Sequence, residues 1–471
     1  MAVSNELNTL KINISNAYNM IQTKGGTVPA NKNTQNLSDA INTIQGGGGG
    51  TDYFVDSINS NKYKAIDLIK SIPPIGGIIT DMQEMFSGCS SLNTISLLDT
   101  SHVTNMSMMF KSCASLITIP LLDTSKVTNM KGMFRGCISL TTIPLLDTSN
   151  VTNMQEMFYS CTALTTIPLL DTSKVTNMVY MFSACTSLTT IPLLDTSSVK
   201  DVQYMFSNCT VLTAIPPLDT SSVTNMSKMF YKCTSLTTIP LLDTSKVTNM
   251  NSMFSACTSL TTIPLLDTSS VTNMNSMFIQ CESLTTIPLL DTSKVTEMNS
   301  MFSDCTSLTT IPALNTSSVT SMNSMFSGCT ALTTIPLLDT SKVTNIYNIF
   351  VTCPNIENIV GFQNLGNAYS KTSSAGYTNY ELKLASAKKL THDSLMNVIN
   401  NLYDIKTKGC KAQKLTLGTE NVAKLTAEEI AIATNKGWSV SWWKKFGKIY
   451  LIMKDYIKKN QNLWWLYLEI C

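Results

Sequence analysis

Histidine is nearly missing from this 471-residue chain, with His102 and His392 the only two. So small a supply argues against nucleophilic catalysis with a histidine base and against a multi-histidine metal site. Charge is scarce too: Asp, Glu, Lys and Arg make up 14% of residues, where about 25% is usual. The formal net charge is +2, so nothing is built to neutralise a phosphate backbone, and nucleic acid is not an expected partner. No uncharged apolar run reaches the length of about 18 residues that a spanning helix needs. Met1 to Ile14 lack the basic stretch and apolar core of a secretory signal, which predicts a chain made and kept soluble in a cytosol. No C-x-x-C pair occurs. Neither a nucleophile beside a base nor paired carboxylates stand out, so no enzyme is expected and no cofactor is implied.

What the chain does have is a period. Twelve of its fourteen cysteines stand at 89, 113, 137, 161, 185, 209, 233, 257, 281, 305, 329 and 353, a constant step of 24 residues. Phe86 to Phe350, Leu92 to Ile356, Ile95 to Ile359 and Val103 to Val343 keep the same step, as do Met106 to Ile346 with Val202 among them. The unit reads MF-x-x-C-x-S-L-T-T-I-P-L-L-D-T-S-x-V-T-N-M-x-x. Such a period marks a repeat architecture in which each unit buries its apolar face only against its neighbours. Within one unit, Val127, Met130, Met133 or Phe134, Cys137 and Leu140 are spaced by three and four, which predicts one face of a short helix. Thr141, Thr142 and Ile143 favour extended backbone, and Pro144 then ends ladder pairing. Each unit is therefore expected to be one coil, made of a short strand, a turn through Asp-Thr-Ser and a helical return.

The repeated polar residues have plain structural readings. One cysteine per coil is the pattern of a small buried side chain. The aspartate column from Asp99 to Asp339, interrupted by Asn315, supplies one carboxylate per coil, too few for the six to eight oxygens that calcium takes. Turn formation by Asp-Thr-Ser accounts for it. No metal site is expected.

This coil motif, with its aromatic-x-x-Cys-x-x-Leu-x-x-Ile-Pro core and its Asp-Thr-Ser-x-Val-Thr-Asn-Met stretch, resembles the BspA-like leucine-rich repeats of bacterial surface proteins. The resemblance spans roughly residues 60 to 441. It implies an α/β repeat solenoid, leucine-rich-repeat-like in its 24-residue coils, and a role in surface recognition or adhesion. Residues 51–84 are expected to be an N-terminal capping coil, 85–352 the solenoid, and 353–441 an α/β C-terminal cap. That cap should contain strand–helix pairs at 380–384 with 391–403 and at 413–417 with 426–434. Thr391 and Thr426 should be N-caps, Thr426 with Glu429 completing a capping box.

The two ends read differently. Val3, Leu7, Leu10, Ile14, Ala17 and Ile21 alternate spacings of four and three, a short heptad seam, and Gly46 to Gly50 form a flexible linker. With its P-x-N-K-N-T-x-N-L-x-x-A-I-x-x-I pattern, segment 1–50 resembles N-terminal modules of bacteriophage tail appendages. That resemblance implies an attachment module, phage tail or baseplate partners, a homotrimer and a place on the virion. A helical hairpin that caps the solenoid is the plainer alternative. In residues 442–471, Trp442, Phe446, Ile449, Tyr450, Met453, Tyr456, Ile457, Trp464, Tyr467 and Leu468 can share a helical face, with six lysines elsewhere. This amphipathic tail is expected to pack against the cap or a neighbouring subunit, or to lie on a membrane.

Binding should sit where the coils differ. In the first half the variable positions hold Lys131, Arg135, Glu156, Tyr159, Tyr180, Tyr204, Lys228 and Tyr231, whereas later coils mostly repeat Asn-Ser. Tyrosine and arginine bring large contact area with few rotors. Lys131, Arg135, Tyr159, Tyr180, Tyr204 and Tyr231 are the candidate ligand-binding residues, and a bacterial or host cell-surface protein or glycan is the expected partner. Two functions fit: a phage tail-associated receptor-binding protein, or a bacterial surface adhesin of host matrix or cells.

Overall fold

A computed structural model describes residues 53–56, 61–64, 79–95, 98–367, 381–407 and 413–442, the first two segments as backbone only. The heptad seam and the amphipathic tail beyond Trp442 lie outside the described residues. The chain divides into two compact units, Met1–Val247 and Thr248–Cys471.

The first unit contains an antiparallel hairpin, β1 (Tyr53–Asp56) and β2 (Asn61–Lys64), with Tyr53 opposite Lys64. The coils follow, and their apolar columns form the core. Phe86, Phe110, Phe134, Phe158, Phe182, Phe206 and Phe230 are buried, each ring stacked nearly parallel on the next with centroids 5.4–5.8 Å apart. The twelve periodic cysteines are buried and form no disulfide among the described residues. Each does more than fill space, since Cys137 Sγ donates to the carbonyl of Phe110 in the preceding coil (3.0 Å), and Cys161 does the same to Phe134 (3.0 Å).

No helix forms in the coils among the described residues, which corrects the expected helical return. The segment from Met130 to Gly136 instead spends alternate N–H groups on the next coil. Met130 donates to Asn153, Gly132 to Gln155, Phe134 to Met157 and Gly136 to Tyr159, at 2.7–3.1 Å. The intervening groups close turns within the coil, Met133 to Met130, Arg135 to Gly132 and Cys137 to Phe134. An α-helix would return every donor to the carbonyl four residues back and leave none for stacking. Two left-handed residues per coil enforce the turns: Gly132 (φ 58°) and Gly136 (φ 74°), then Glu156 (φ 59°) and Ser160 (φ 61°) in the next. A right-handed helix cannot contain them. The turns bring Met133, Phe134 and Cys137 inward all the same, which is why the spacing imitates a helix.

Ladder pairing also lies elsewhere than expected. Across the Thr-Thr-Ile segment one long bond joins neighbouring coils, as from Thr141 N to Ile117 O at 3.3 Å. Parallel bridges run instead through Asn105, Asn129, Asn153, Asn177, Asp201 and Asn225. The side chains of this column also cap the turn behind them, Asn153 Oδ1 accepting from Gln155 N at 3.0 Å, an Asx turn in each coil.

The second unit repeats the coil. Its bridges pass through Asn249, Asn273, Glu297, Ser321 and Asn345, and Phe254 to Phe350 stack at 5.7–5.9 Å. At its last coils the extended segments become paired strands, β3 (Thr334–Ile335) parallel to β5 (Asn358–Ile359) and β4 (Leu338–Asp339) parallel to β6 (Phe362–Gln363). A three-stranded parallel sheet follows, β7 (Glu381–Lys383), β8 (Lys414–Thr416) and β9 (Ser439–Ser441), in that order. Helices α1 (His392–Asn401), α2 (Thr419–Val422) and α3 (Ala427–Asn435) connect the strands. Thr391 caps α1, and the capping box of Thr426 with Glu429 opens α3. Helix α1 packs on β5 and β6. There Ser394 Oγ accepts from Ile359 N (3.1 Å) and donates to Glu357 O (3.0 Å), satisfying backbone groups that a further coil would otherwise meet.

Candidate binding surface

Two outward slots of the first unit carry the candidate residues. The slot after each phenylalanine holds Arg135, Tyr159 and Tyr231, and the slot before the second methionine of a coil holds Glu156, Tyr180, Tyr204 and Lys228. The second slot is left-handed, with φ of 59° at Tyr180, 56° at Tyr204 and 55° at Lys228. Because the backbones of successive coils are hydrogen-bonded at these positions, side chains in one column meet directly.

The result is a continuous row. Arg135 is ion-paired with Glu156, and its guanidinium lies 5.0 Å from the centre of the Tyr159 ring. Tyr159 meets Tyr180 edge-on at 5.8 Å. Tyr180 and Tyr204 stack at 4.3 Å with 14° between their planes. Lys228 Nζ donates to the Tyr204 hydroxyl at 2.7 Å and sits 5.0 Å from that ring's centre and 5.9 Å from that of Tyr231. Lys232, exposed, closes the row 5.3 Å from Tyr231. Aromatic pairs and cation–π contacts contribute about 0.5–1.5 kcal/mol each, which favours this arrangement of the row.

Five of the six candidates are thus brought together: Arg135, Tyr159, Tyr180, Tyr204 and Tyr231. Lys131 is not, since it stands in a third column, and among the described residues its ammonium forms no hydrogen bond or ion pair. Lys232 was missed by the sequence reading. It occupies the slot before Cys233, which a repeat comparison treats as a small-residue turn position.

The row's chemistry follows from its packing. Burial, with Tyr204 beside it, pushes the Tyr180 phenol up to about 12, so it stays a neutral donor at ordinary pH. Tyr180 and Tyr204 cover one face of each other, with Tyr159 edge-on to Tyr180 and the Lys228 ammonium over Tyr204. Such a strip suits hydroxyl-rich or anionic groups better than stacking on a flat sugar face. The same slot in the second unit carries Ser252, Ser276, Ser300 and Ser324.

The aspartate column offers no comparable site. Asp147 Oδ1 accepts from Ser149 N (3.0 Å) and Oγ (2.7 Å), and these bonds hold its carboxyl below the ordinary range. Among the described residues no group of three His, Cys, Asp or Glu gathers as metal ligands would.

Comparison with solved structures returns bacterial leucine-rich-repeat proteins. One from Bacteroides ovatus is 19% identical, covers 65% of this chain and 84% of its own, and has a TM-score of 0.37. Another, from Eubacterium ventriosum, is 17% identical over 58% of this chain and 80% of its own, at a TM-score of 0.38. A leucine rich cell surface protein from Faecalibacterium prausnitzii is 16% identical over 85% and 88%, at 0.32. Scores of this size carry no argument about ligand or partner. No curated protein matches the chain. A family does, over residues 77–142, 117–214, 141–238, 210–309 and 285–381. Those overlapping segments take in more than half of the 471 residues, and the chain belongs to the family described as "Mycoplasma protein of unknown function, DUF285".

Proposed function

We propose that this protein is a non-enzymatic surface-recognition protein whose coils read a cell-surface protein or glycan, as a bacterial surface adhesin of the BspA-like kind does. One observation carries the reading: in coils whose inward columns stay constant, the outward slots change to Arg135, Tyr159, Tyr180, Tyr204, Lys228 and Tyr231, and these residues meet as one row. A prepacked strip of tyrosine and cations has the composition of interaction hot spots. Tyr180→Ser with Tyr204→Ser is the test, because serine already occupies this left-handed slot in the second unit. The double variant should stay folded, with a modestly lowered melting temperature for the contacts it removes, and lose binding to intact bacterial or host cells that the wild type binds. Undiminished binding by a folded double variant would move the reader elsewhere.

The receptor-binding reading on a phage tail uses the same row and adds attachment through residues 1–50. The heptad seam of Leu7, Leu10, Ile14, Ala17 and Ile21 favours it. Light scattering of the full chain should then show a trimer that Leu10→Asp with Ile14→Asp converts to a monomer, and a monomeric wild type would leave the adhesin reading alone.

A further inference from the structure

The tyrosine row is electrically lopsided. At one end the charge is cancelled, since Arg135 is ion-paired with Glu156. At the other end two cations meet: Lys228 Nζ lies 5.9 Å and Lys232 Nζ 5.3 Å from the centre of the same Tyr231 ring. Among the described residues neither lysine forms an ion pair. The carboxylates of residues 200–235 are those of Asp201 and Asp219, and both are engaged elsewhere. Asp201 accepts from Gln203 N and Nε2 at 2.9 and 2.8 Å, and Asp219 from Ser221 N at 3.0 Å.

Like charges gathered at one ring repel, and an anion placed between them turns that repulsion into attraction. The fold does not require them there. Other coils carry Ser252 in the slot of Lys228, and Ala184 and Ala256 in the slot of Lys232. All five positions are left-handed, with φ of 55° at Lys228 and 59° at Lys232 against 53°, 61° and 59° at Ser252, Ala184 and Ala256. A third donor stands beside the lysines. The Tyr204 hydroxyl accepts from Lys228 at 2.7 Å, which leaves its own proton for an outside acceptor. Three donors suit a group with three free oxygens, as a phosphate or sulfate ester has, whereas a carboxylate presents two in one plane. Ammonium groups hold such an ester as point charges, and the one guanidinium of the row, whose planar fork matches a carboxylate, is already taken by Glu156. The phenols of Tyr159 and Tyr180 continue the row with hydroxyls that suit those of a sugar chain.

We propose, resting on the row as the recognition surface, that its Lys228–Tyr231–Lys232 end, with the Tyr204 hydroxyl, binds a sulfate or phosphate ester carried by a glycan. Binding of the full-length chain to immobilised dextran sulfate, dextran phosphate and carboxymethyl dextran of matched substitution tests it. The wild type should bind at least one ester about tenfold or more tightly than the carboxymethyl form, and Lys228→Ser with Lys232→Ala should lose about tenfold or more of that affinity. The ester bound more tightly separates a sulfated from a phosphorylated source. Lys126→Ser with Lys174→Ser removes the same charge from the turns after Asp123 and Asp171, where other coils carry Ser198 and Ser222, and should leave the affinity within about twofold. Failure of the wild type to bind either ester, equal binding to carboxymethyl dextran, or an equal loss in both lysine pairs would overturn the proposal. Intact cells keep that failure apart from failure of the row. Cells bound by the Lys228→Ser/Lys232→Ala variant but not by Tyr180→Ser/Tyr204→Ser would overturn the ester site and leave the row as the reader, whereas cells bound by both variants would overturn the two together.

Discussion

At the scale of single residues, the inward columns carry the energy and the left-handed slots carry the strain. Phe206 is buried between Phe182 at 5.7 Å and Phe230 at 5.8 Å. Phe206→Ala should cost about 3–5 kcal/mol in chemical unfolding, because the neighbouring rings cannot collapse into the space; a loss under about 1 kcal/mol would deny the column its place in the core. Thr352 stands exposed at φ 58°, a conformation that is a genuine outlier for a β-branched residue. Thr352→Gly should therefore stabilise by about 1 kcal/mol, and a lowered melting temperature would show that something other than backbone strain holds that turn. Burial pushes the thiols of Cys137, Cys209 and Cys281 up to about 12, so the periodic cysteines should resist alkylation until the chain unfolds. The inward columns were legible in the sequence because a strict period exposes them. The slots before Met and Cys were not read as left-handed, because they hold Glu156, Tyr180, Tyr204 and Thr352 as readily as glycine, and only stacking, not residue type, imposes the conformation.

At the scale of the coil, the aspartate turn supplies a pH dependence. Serine hydroxyl and backbone bonds hold Asp123, Asp147, Asp171, Asp243 and Asp291 below the ordinary carboxylate range. A lowered folded pKa gives stability that is present above the unfolded value of about 4 and is lost as pH falls through the folded one. Asn315 shows how to remove that dependence while keeping the turn, since its Oδ1 accepts from Ser317 N (3.1 Å) and Oγ (2.7 Å) in the same way. Asp147→Asn with Asp171→Asn should unfold at a somewhat lower urea midpoint than the wild type at pH 7, having lost the charged acceptors, and show a smaller drop at pH 3. An equal drop in both proteins would place the acid sensitivity elsewhere. Turn formation by Asp-Thr-Ser was readable from residue type, and so was the capping box of Thr426 with Glu429. The helical return was not, because spacings of three and four fit a chain of tight turns as well as a helix, and the hydrogen bonds that decide between them run to the next coil.

At the scale of the molecule, the second unit carries Ser252, Ser276, Ser300 and Ser324 in the slot where the first has Tyr180 and Tyr204, so the joined row of tyrosines and cations belongs to the first unit. Five residues of the row, Arg135, Tyr159, Tyr180, Tyr204 and Tyr231, are among the six candidates named from sequence, because departures from a strict repeat are visible. Their joining into one row was legible only in part: a common slot brings Tyr180 onto Tyr204, whereas the contacts of Arg135 with Tyr159 and of Lys228 with Tyr204 and Tyr231 depend on side-chain direction. The central claim is that this row reads a cell-surface ligand. Its most direct test is binding of the full-length protein to arrays of surface glycans and matrix proteins, beside Tyr180→Ser/Tyr204→Ser and, as a control, Ser276→Tyr/Ser300→Tyr in the second unit. The account predicts that the wild type binds members of one anionic or hydroxyl-rich class, that the tyrosine-to-serine variant loses about tenfold or more of that affinity, and that the control keeps it. Full affinity in a folded protein lacking both tyrosines would contradict the account.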